Sequence, residues 1–189
     1  TSNNVSVFLN NGSGSFGAAT NYTATSNAVN EVTIADIDKD GDLDIVAINE
    51  STSNNVSVLR NNGSGSFGAA TNYTAASNFV RGIAIADIDK DGDLDIVAGS
   101  TSVSNNISVM LNNGSGTFGA ATNYSAGGDS PDSIKLVDID KDGDLDIITG
   151  NSITSNNVSV FLNNGSGTFG AATNYTVNNG QVRGLATTD

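Results

Sequence analysis

The sequence predicts an all-β fold, a β-propeller of four-stranded blades. Three observations carry this reading: an internal repeat of 51 residues, hairpin signals at fixed places in every unit, and no window with a convincing helical period. Tandem units of this length with four strands each match a propeller blade. A parallel β-helix is the alternative, but its coils are generally much shorter.

In the first complete unit, residues 32–35 lead into an acidic loop and residues 44–48 lead out of it. Residues 55–59 then alternate up to an Asn-Gly-Ser-Gly turn, and residues 67–73 follow it. Asn-Gly beside alternating apolar residues is a strong hairpin signal, because Gly and Asn tolerate positive φ. The run Ile45-Val46-Ala47-Ile48 is continuously apolar, as a strand must be when neighbouring blades cover both of its faces. Small residues stand beside large ones in the first strands (Ile34-Ala35 and Ala84-Ile85-Ala86), which suits the crowded centre of a ring.

The repeat therefore predicts blades at 31–75, 82–126 and 133–177, with the outer strands of a partial blade at 1–25 and the first strand of a further blade at 182–189. Asp189 lies 51 residues after Asp138, and Thr1 corresponds to Thr52. This phase predicts a segment of a longer chain, with unpaired strand edges at both ends that attract pairing when free in solution.

Nine residues, Asp-Ile-Asp-Lys-Asp-Gly-Asp-Leu-Asp, recur from Asp36, Asp87 and Asp138. Alternate oxygens at positions one, three and five can converge on one hard cation, Gly at position six permits a sharp turn, position seven offers its carbonyl, and a carboxylate closes the site. The expected ligands are Asp36, Asp38, Asp40, the carbonyl of Asp42, and Asp44 in the first loop. Asp87, Asp89, Asp91, Asp93 and Asp95 serve the second, and Asp138, Asp140, Asp142, Asp144 and Asp146 the third. These loops close at position nine and run into an apolar strand, unlike an EF-hand, which closes at position 12 and continues as a helix. Without a cation, five carboxylates in nine residues repel strongly. About three calcium ions are expected, one per loop.

Fifteen of the 20 acidic residues lie in these loops, so the formal charge of −13 describes the sites and would fall to −7 with three calcium ions bound. The remainder is nearly neutral and offers no basic surface for nucleic acid. No apolar run approaches the length that spans a membrane, so membrane insertion is not expected. The chain has no Cys, so redox compartment cannot be read from sulfur. Loops of this kind usually suit extracellular calcium levels, and a composition rich in Asn, Ser, Thr and Gly fits a secreted or cell-surface protein. Each unit carries Asn-x-Ser/Thr sequons, such as Asn62-Gly63-Ser64, which are the acceptor sites of a glycoprotein in a host that modifies them.

The acidic nonapeptide occurs three times, and Phe16-Gly17-Ala18-Ala19 recurs three times more at the same period. On these two motifs the units resemble FG-GAP repeats, also called VCBS repeats, found in the propellers of integrin alpha subunits and many bacterial surface proteins. The resemblance covers essentially the whole chain. It implies calcium-stabilised blades and a role in adhesion or recognition, although the chain holds fewer complete blades than the family's usual seven.

In a blade, the acidic loops and the Asn-Gly-Ser-Gly turns emerge on one face, and the segments that differ between units emerge on the other. Binding residues usually lie on such loops, and the candidates here are Phe79, Arg81, Asp129, Asp132 and Arg183. An enzyme is not expected, because His and Cys are absent and calcium already claims most carboxylates. The expected function is adhesion or recognition of an extracellular glycan or protein. The alternatives are a structural repeat of a surface layer, sheath or filament in which copies associate, and the non-catalytic propeller part of a secreted polysaccharide-active enzyme.

Overall fold

The computed structural model describes residues 3–24, 28–49, 55–75, 79–101, 106–152, 156–178 and 180–187. All regular structure among them is β. Strands β1 (Asn4–Val7) and β2 (Thr20–Thr23) form a hairpin. Three four-stranded antiparallel sheets follow, each in chain order. The first contains β3 (Val29–Ala35), β4 (Asp44–Asn49), β5 (Val56–Leu59) and β6 (Thr71–Tyr73). The second contains β7 (Val80–Ala86), β8 (Asp95–Ser100), β9 (Asn106–Met110) and β10 (Thr122–Ser125). The third contains β11 (Pro131–Val137), β12 (Asp146–Asn151), β13 (Asn157–Phe161) and β14 (Thr173–Thr176). These are propeller blades, with the inner strands β3, β7 and β11 packed beside one another.

Each inner strand begins two residues before the start read from the repeat. A register shift between Val29 and Glu31, repeated at Val80/Gly82 and Pro131/Ser133, lets two extra residues continue the ladder. The second strands β4, β8 and β12 are buried along their whole length, including the Asp that opens each and the Asn or Ser that closes it.

The fourth strands are shorter than expected. Of residues 67–73, only Thr71–Tyr73 pair as a strand. Phe67 makes a lone bridge to Asn61, and Gly68 N–H donates to Arg60 O at 2.8 Å. The turn's own hydrogen bonds absorb this stretch before the ladder resumes. In the same way, the outer strands expected within 1–25 pair only over Asn4–Val7 and Thr20–Thr23, with Gly17 N–H donating to Leu9 O at 2.9 Å between them.

The described part of the expected strand 182–189, residues 182–187, carries no strand pairing. A strand needs a hydrogen-bonding neighbour, and no described strand lies in register beside this segment. Val182 still packs against Gly150 of β12, as Pro131 packs against Gly99 of β8.

Blades are joined by an aromatic contact that repeats. Tyr22, Tyr73 and Tyr124 each meet the Phe of the next unit's Phe-Gly motif edge to face, with centroids 5.3 Å from Phe67, 5.3 Å from Phe118 and 5.7 Å from Phe169. In the last two contacts the Tyr hydroxyl accepts the Phe backbone N–H, at 3.4 and 3.2 Å. Within each blade, Ser57, Ser108 and Ser159 on the third strand donate to Asn72, Asn123 and Asn174 on the fourth.

Candidate metal centre

Each acidic loop leaves its inner strand at position one, and position nine opens the second strand. Ile37 and Ile88, at position two, are buried in the core clusters and anchor the first two loops. The residue at position nine fastens loop to blade. Asp44 Oδ2 accepts Ile37 N–H at 3.1 Å and its Oδ1 accepts Asn61 N–H at 2.8 Å. Asp95 and Asp146 repeat both bonds with Ile88 and Asn112, and with Ile139 and Asn163. Position one is fixed by the glycine, since Gly41, Gly92 and Gly143 N–H donate to Asp36, Asp87 and Asp138 Oδ2. Those glycines sit at φ between 90° and 94°, and the lysine two residues earlier is also left-handed, at 60–65°.

Carboxylate oxygens within 4.8 Å of one another gather at three places: Asp36, Asp38 and Asp40; Asp87, Asp89 and Asp95; and Asp138, Asp140 and Asp146. Asp91 and Asp142 stand outside these groups, although they accept the N–H of Asp93 and Asp144 just as Asp40 accepts that of Asp42.

The position-seven side chains turn away from their own loops. The carboxylates of Asp42, Asp93 and Asp144 stand over Gly63, Gly114 and Gly165 of the Asn-Gly turns, where a Cβ would lie 2.7–2.8 Å from the Oδ2 atom. Asp93 and Asp144 also pair with Lys39 and Lys90 of the preceding loop. This leaves position seven its backbone carbonyl to offer, as the loop pattern requires.

The arrangement fits a hard divalent cation. Asp36 Oδ1, Asp38 Oδ1 and Asp87 Oδ1 are buried and receive no hydrogen bond. Buried carboxylate oxygens without donors are costly, and a cation would supply the missing partner. Burial pushes the Asp95 carboxyl up to about 6 and also raises Asp44 and Asp89, against the lowering effect of the backbone N–H groups they accept. The apo loops therefore hold their negative charge at a cost.

The asparagine that precedes each Asn-Gly pair was not singled out by the sequence reading. Asn112 Nδ2 donates to Leu94 O of its own blade and to Ile37 O of the preceding acidic loop, while its Oδ1 accepts Gly114 and Gly116 N–H. Asn163 repeats the pattern with Leu145 and Ile88. Its signal was recurrence at Asn10, Asn61, Asn112 and Asn163 in a unit full of polar repeats.

The varied loops fall partly outside the described residues, at 25–27, 50–54, 76–78, 102–105 and 153–155. Of the candidate ligand residues, Phe79 is exposed with φ 61°, and its carbonyl accepts Thr101 N–H. One blade later Ser130 holds the same conformation, and Ser152 N–H reaches both Asp129 O and Ser130 O. Asp132 Oδ2 accepts Ser152 Oγ–H. Asp129 and Asp132 thus meet around Ser152. Arg81 is exposed on β7, and exposed Arg183 bonds Gln181 at 2.9 Å. A depression of about 740 Å³ lies elsewhere, on the last blade beside Leu136, Ile139, Lys141 and Ile148.

A family model described as FG-GAP-like repeat matches residues 1–47, 36–98 and 97–149. Among solved structures, a lectin of Agrocybe aegerita, described for its specific recognition of non-reducing terminal N-acetylglucosamine, is 29% identical with a TM-score of 0.61. The alignment covers 91% of this chain and 47% of the lectin, so this chain spans about half the lectin's length. The Tc holotoxin pore of Photorhabdus luminescens aligns at 14% identity over 94% of this chain and 11% of its own, with a TM-score of 0.37. No curated protein matches the chain.

Proposed function

We propose, because the chain belongs to the FG-GAP-like repeat family, that it is a calcium-stabilised extracellular propeller module that recognises a glycan or a protein. The observation that carries the calcium part is the set of buried, unpartnered oxygens on Asp36, Asp38 and Asp87 inside the acidic loops. In the first loop the ion would be held by Asp36, Asp38, Asp40, the carbonyl of Asp42, and Asp44. The second and third loops would use the corresponding residues. Bound calcium supplies the positive charge that lets these carboxylates stay close together, and the loops then fix the inner strands to the outer hairpins. An affinity suited to extracellular calcium supports secretion or display at a surface.

Likeness to the lectin supports a glycan as ligand, with N-acetylglucosamine-terminated chains the first to try. In this reading the module binds and does not catalyse. Differential calorimetry with calcium and with chelator tests the first part, and a glycan array probed in calcium tests the second. Each occupied site adds about 1.4–2.7 kcal/mol when calcium is about 10–100 times Kd. Melting that ignores chelator, together with no bound calcium by elemental analysis, would falsify the calcium reading. A silent array alongside ordered assemblies by negative-stain microscopy favours the structural alternative, a repeat of a surface layer or filament. The near-identity of the units supports that alternative, since differentiated loops usually mark a specific site.

A further inference from the structure

The residue just before the Asn-Asn-Gly turn is Leu9, Arg60, Leu111 and Leu162 in successive units, so Arg60 is the one basic departure in a series of leucines. It keeps the leucine's place. A Cβ on Gly65 would lie 2.8 Å from Leu9 Cδ2, on Gly167 3.0 Å from Leu111 Cδ2, and on Gly116 3.0 Å from Arg60 Nη2. In each case the side chain runs beneath the turn of the next blade. What differs is the chemistry delivered there. Arg60 Nη2 donates to Ser115 O at 2.7 Å, and its Nε lies 3.7 Å from Asp38 Oδ2. Asp38 is one of the three grouped carboxylates of the first loop. Asp89, its counterpart in the second loop, has Leu111 in that position beside Gly167. Lys39 and Lys90 also pair with loop aspartates, but with Asp93 and Asp144, whose carboxylates stand outside the grouped sets.

We propose that Arg60 sets the calcium affinity of the first loop and makes it the weakest of the three sites, an inference that rests on the calcium reading above. A guanidinium against a ligand carboxylate repels an incoming divalent ion and competes for the oxygen it needs, whereas leucine does neither. Arg60 cannot swing clear without giving up the bond to Ser115 that fastens the next blade's turn. Filling the first loop is opposed by both effects, so the second and third loops fill at lower calcium.

Isothermal titration of the whole chain with calcium alone, in wild type, Arg60→Leu and Arg60→Lys, tests this. Wild type should show two tight sites and one weaker. Arg60→Leu restores the residue found in the other units and should tighten the weak site by roughly threefold to thirtyfold, giving three sites alike. Arg60→Lys keeps the charge and should keep a weak site. Melting in chelator reports whether each variant is folded. Three equal sites in wild type, or an isotherm that Arg60→Leu leaves unchanged or weakens, overturns the proposal while leaving the calcium reading intact. No binding to wild type at all overturns both.

Discussion

Asn112 donates from Nδ2 to the carbonyl of Ile37, 75 positions earlier, and so ties the second full blade to the acidic loop of the first. The same amide group reaches Leu94 O and accepts two glycine N–H groups, and the side chain is almost fully buried. Four partners lose their mate if it is removed, and the bonds to Ile37 O and Gly116 N–H are fully buried. Asn112→Ala should therefore cost about 3 kcal/mol, at the high end for one side chain, because two of the orphaned groups, at Ile37 and Gly116, stay buried. Urea unfolding monitored by far-UV circular dichroism measures this. A loss below about 1 kcal/mol would show that the staple is dispensable.

The Phe-Gly motif should be worth different amounts in different units. Phe169 is 6% exposed and packs edge to face on Tyr124, whereas Phe16 is 64% exposed. Phe169→Ala should cost about 3–4 kcal/mol and Phe16→Ala less than about 0.5 kcal/mol. Equal losses in thermal melts would contradict the burial difference as the cause.

Much of this was legible in the sequence because it depends on short-range pattern. The acidic loops, the Asn-Gly turns and the apolar second strands are each written in consecutive residues and repeated. The contacts between blades were not legible. Asn112 to Ile37, Tyr124 to Phe169 and Lys90 to Asp144 join residues far apart along the chain, and the repeat does not say which neighbour each side chain chooses. The outward turn of the Asp93 carboxylate was hidden for the same reason. The strand expected at 67–73 shortened because hydrogen bonds of the preceding turn took its first residues.

Stability should depend on pH in opposite ways with and without calcium. Burial raises the Asp95 carboxyl to about 6 from an ordinary 3.8, and Asp44 and Asp89 shift the same way. The folded state therefore binds protons more readily than the unfolded state. That advantage is fully present below the unfolded value and is lost as pH rises through about 6. The melting temperature of the calcium-free protein should rise as pH falls from about 7 to about 5. The increment from added calcium should shrink over the same interval, because protons and calcium compete for the same oxygens. Scanning calorimetry with and without chelator across that range tests both trends, and an apo protein that loses stability on acidification would count against the raised values.

The last prediction separates two roles for glycine in the turns. Gly12 and Gly114 share nearly the same conformation, with φ 83° and 84°. A Cβ on Gly12 meets nothing within 4 Å, whereas one on Gly114 would lie 2.8 Å from Asp93 Oδ2. Gly12→Ala should cost only the left-handed backbone penalty, about 1 kcal/mol. Gly114→Ala should cost that much and more, about 2–3 kcal/mol, because it pushes the Asp93 carboxylate off its pairing with Lys39 across the blade junction. The excess should disappear once Asp93 is trimmed. In an Asp93→Ala background, Gly114→Ala should again cost about 1 kcal/mol, giving a coupling of about 1–2 kcal/mol in a double-mutant cycle. Additive losses would mean that the glycine answers to backbone geometry alone, and that the position-seven aspartate does not take its place from the turn beneath it.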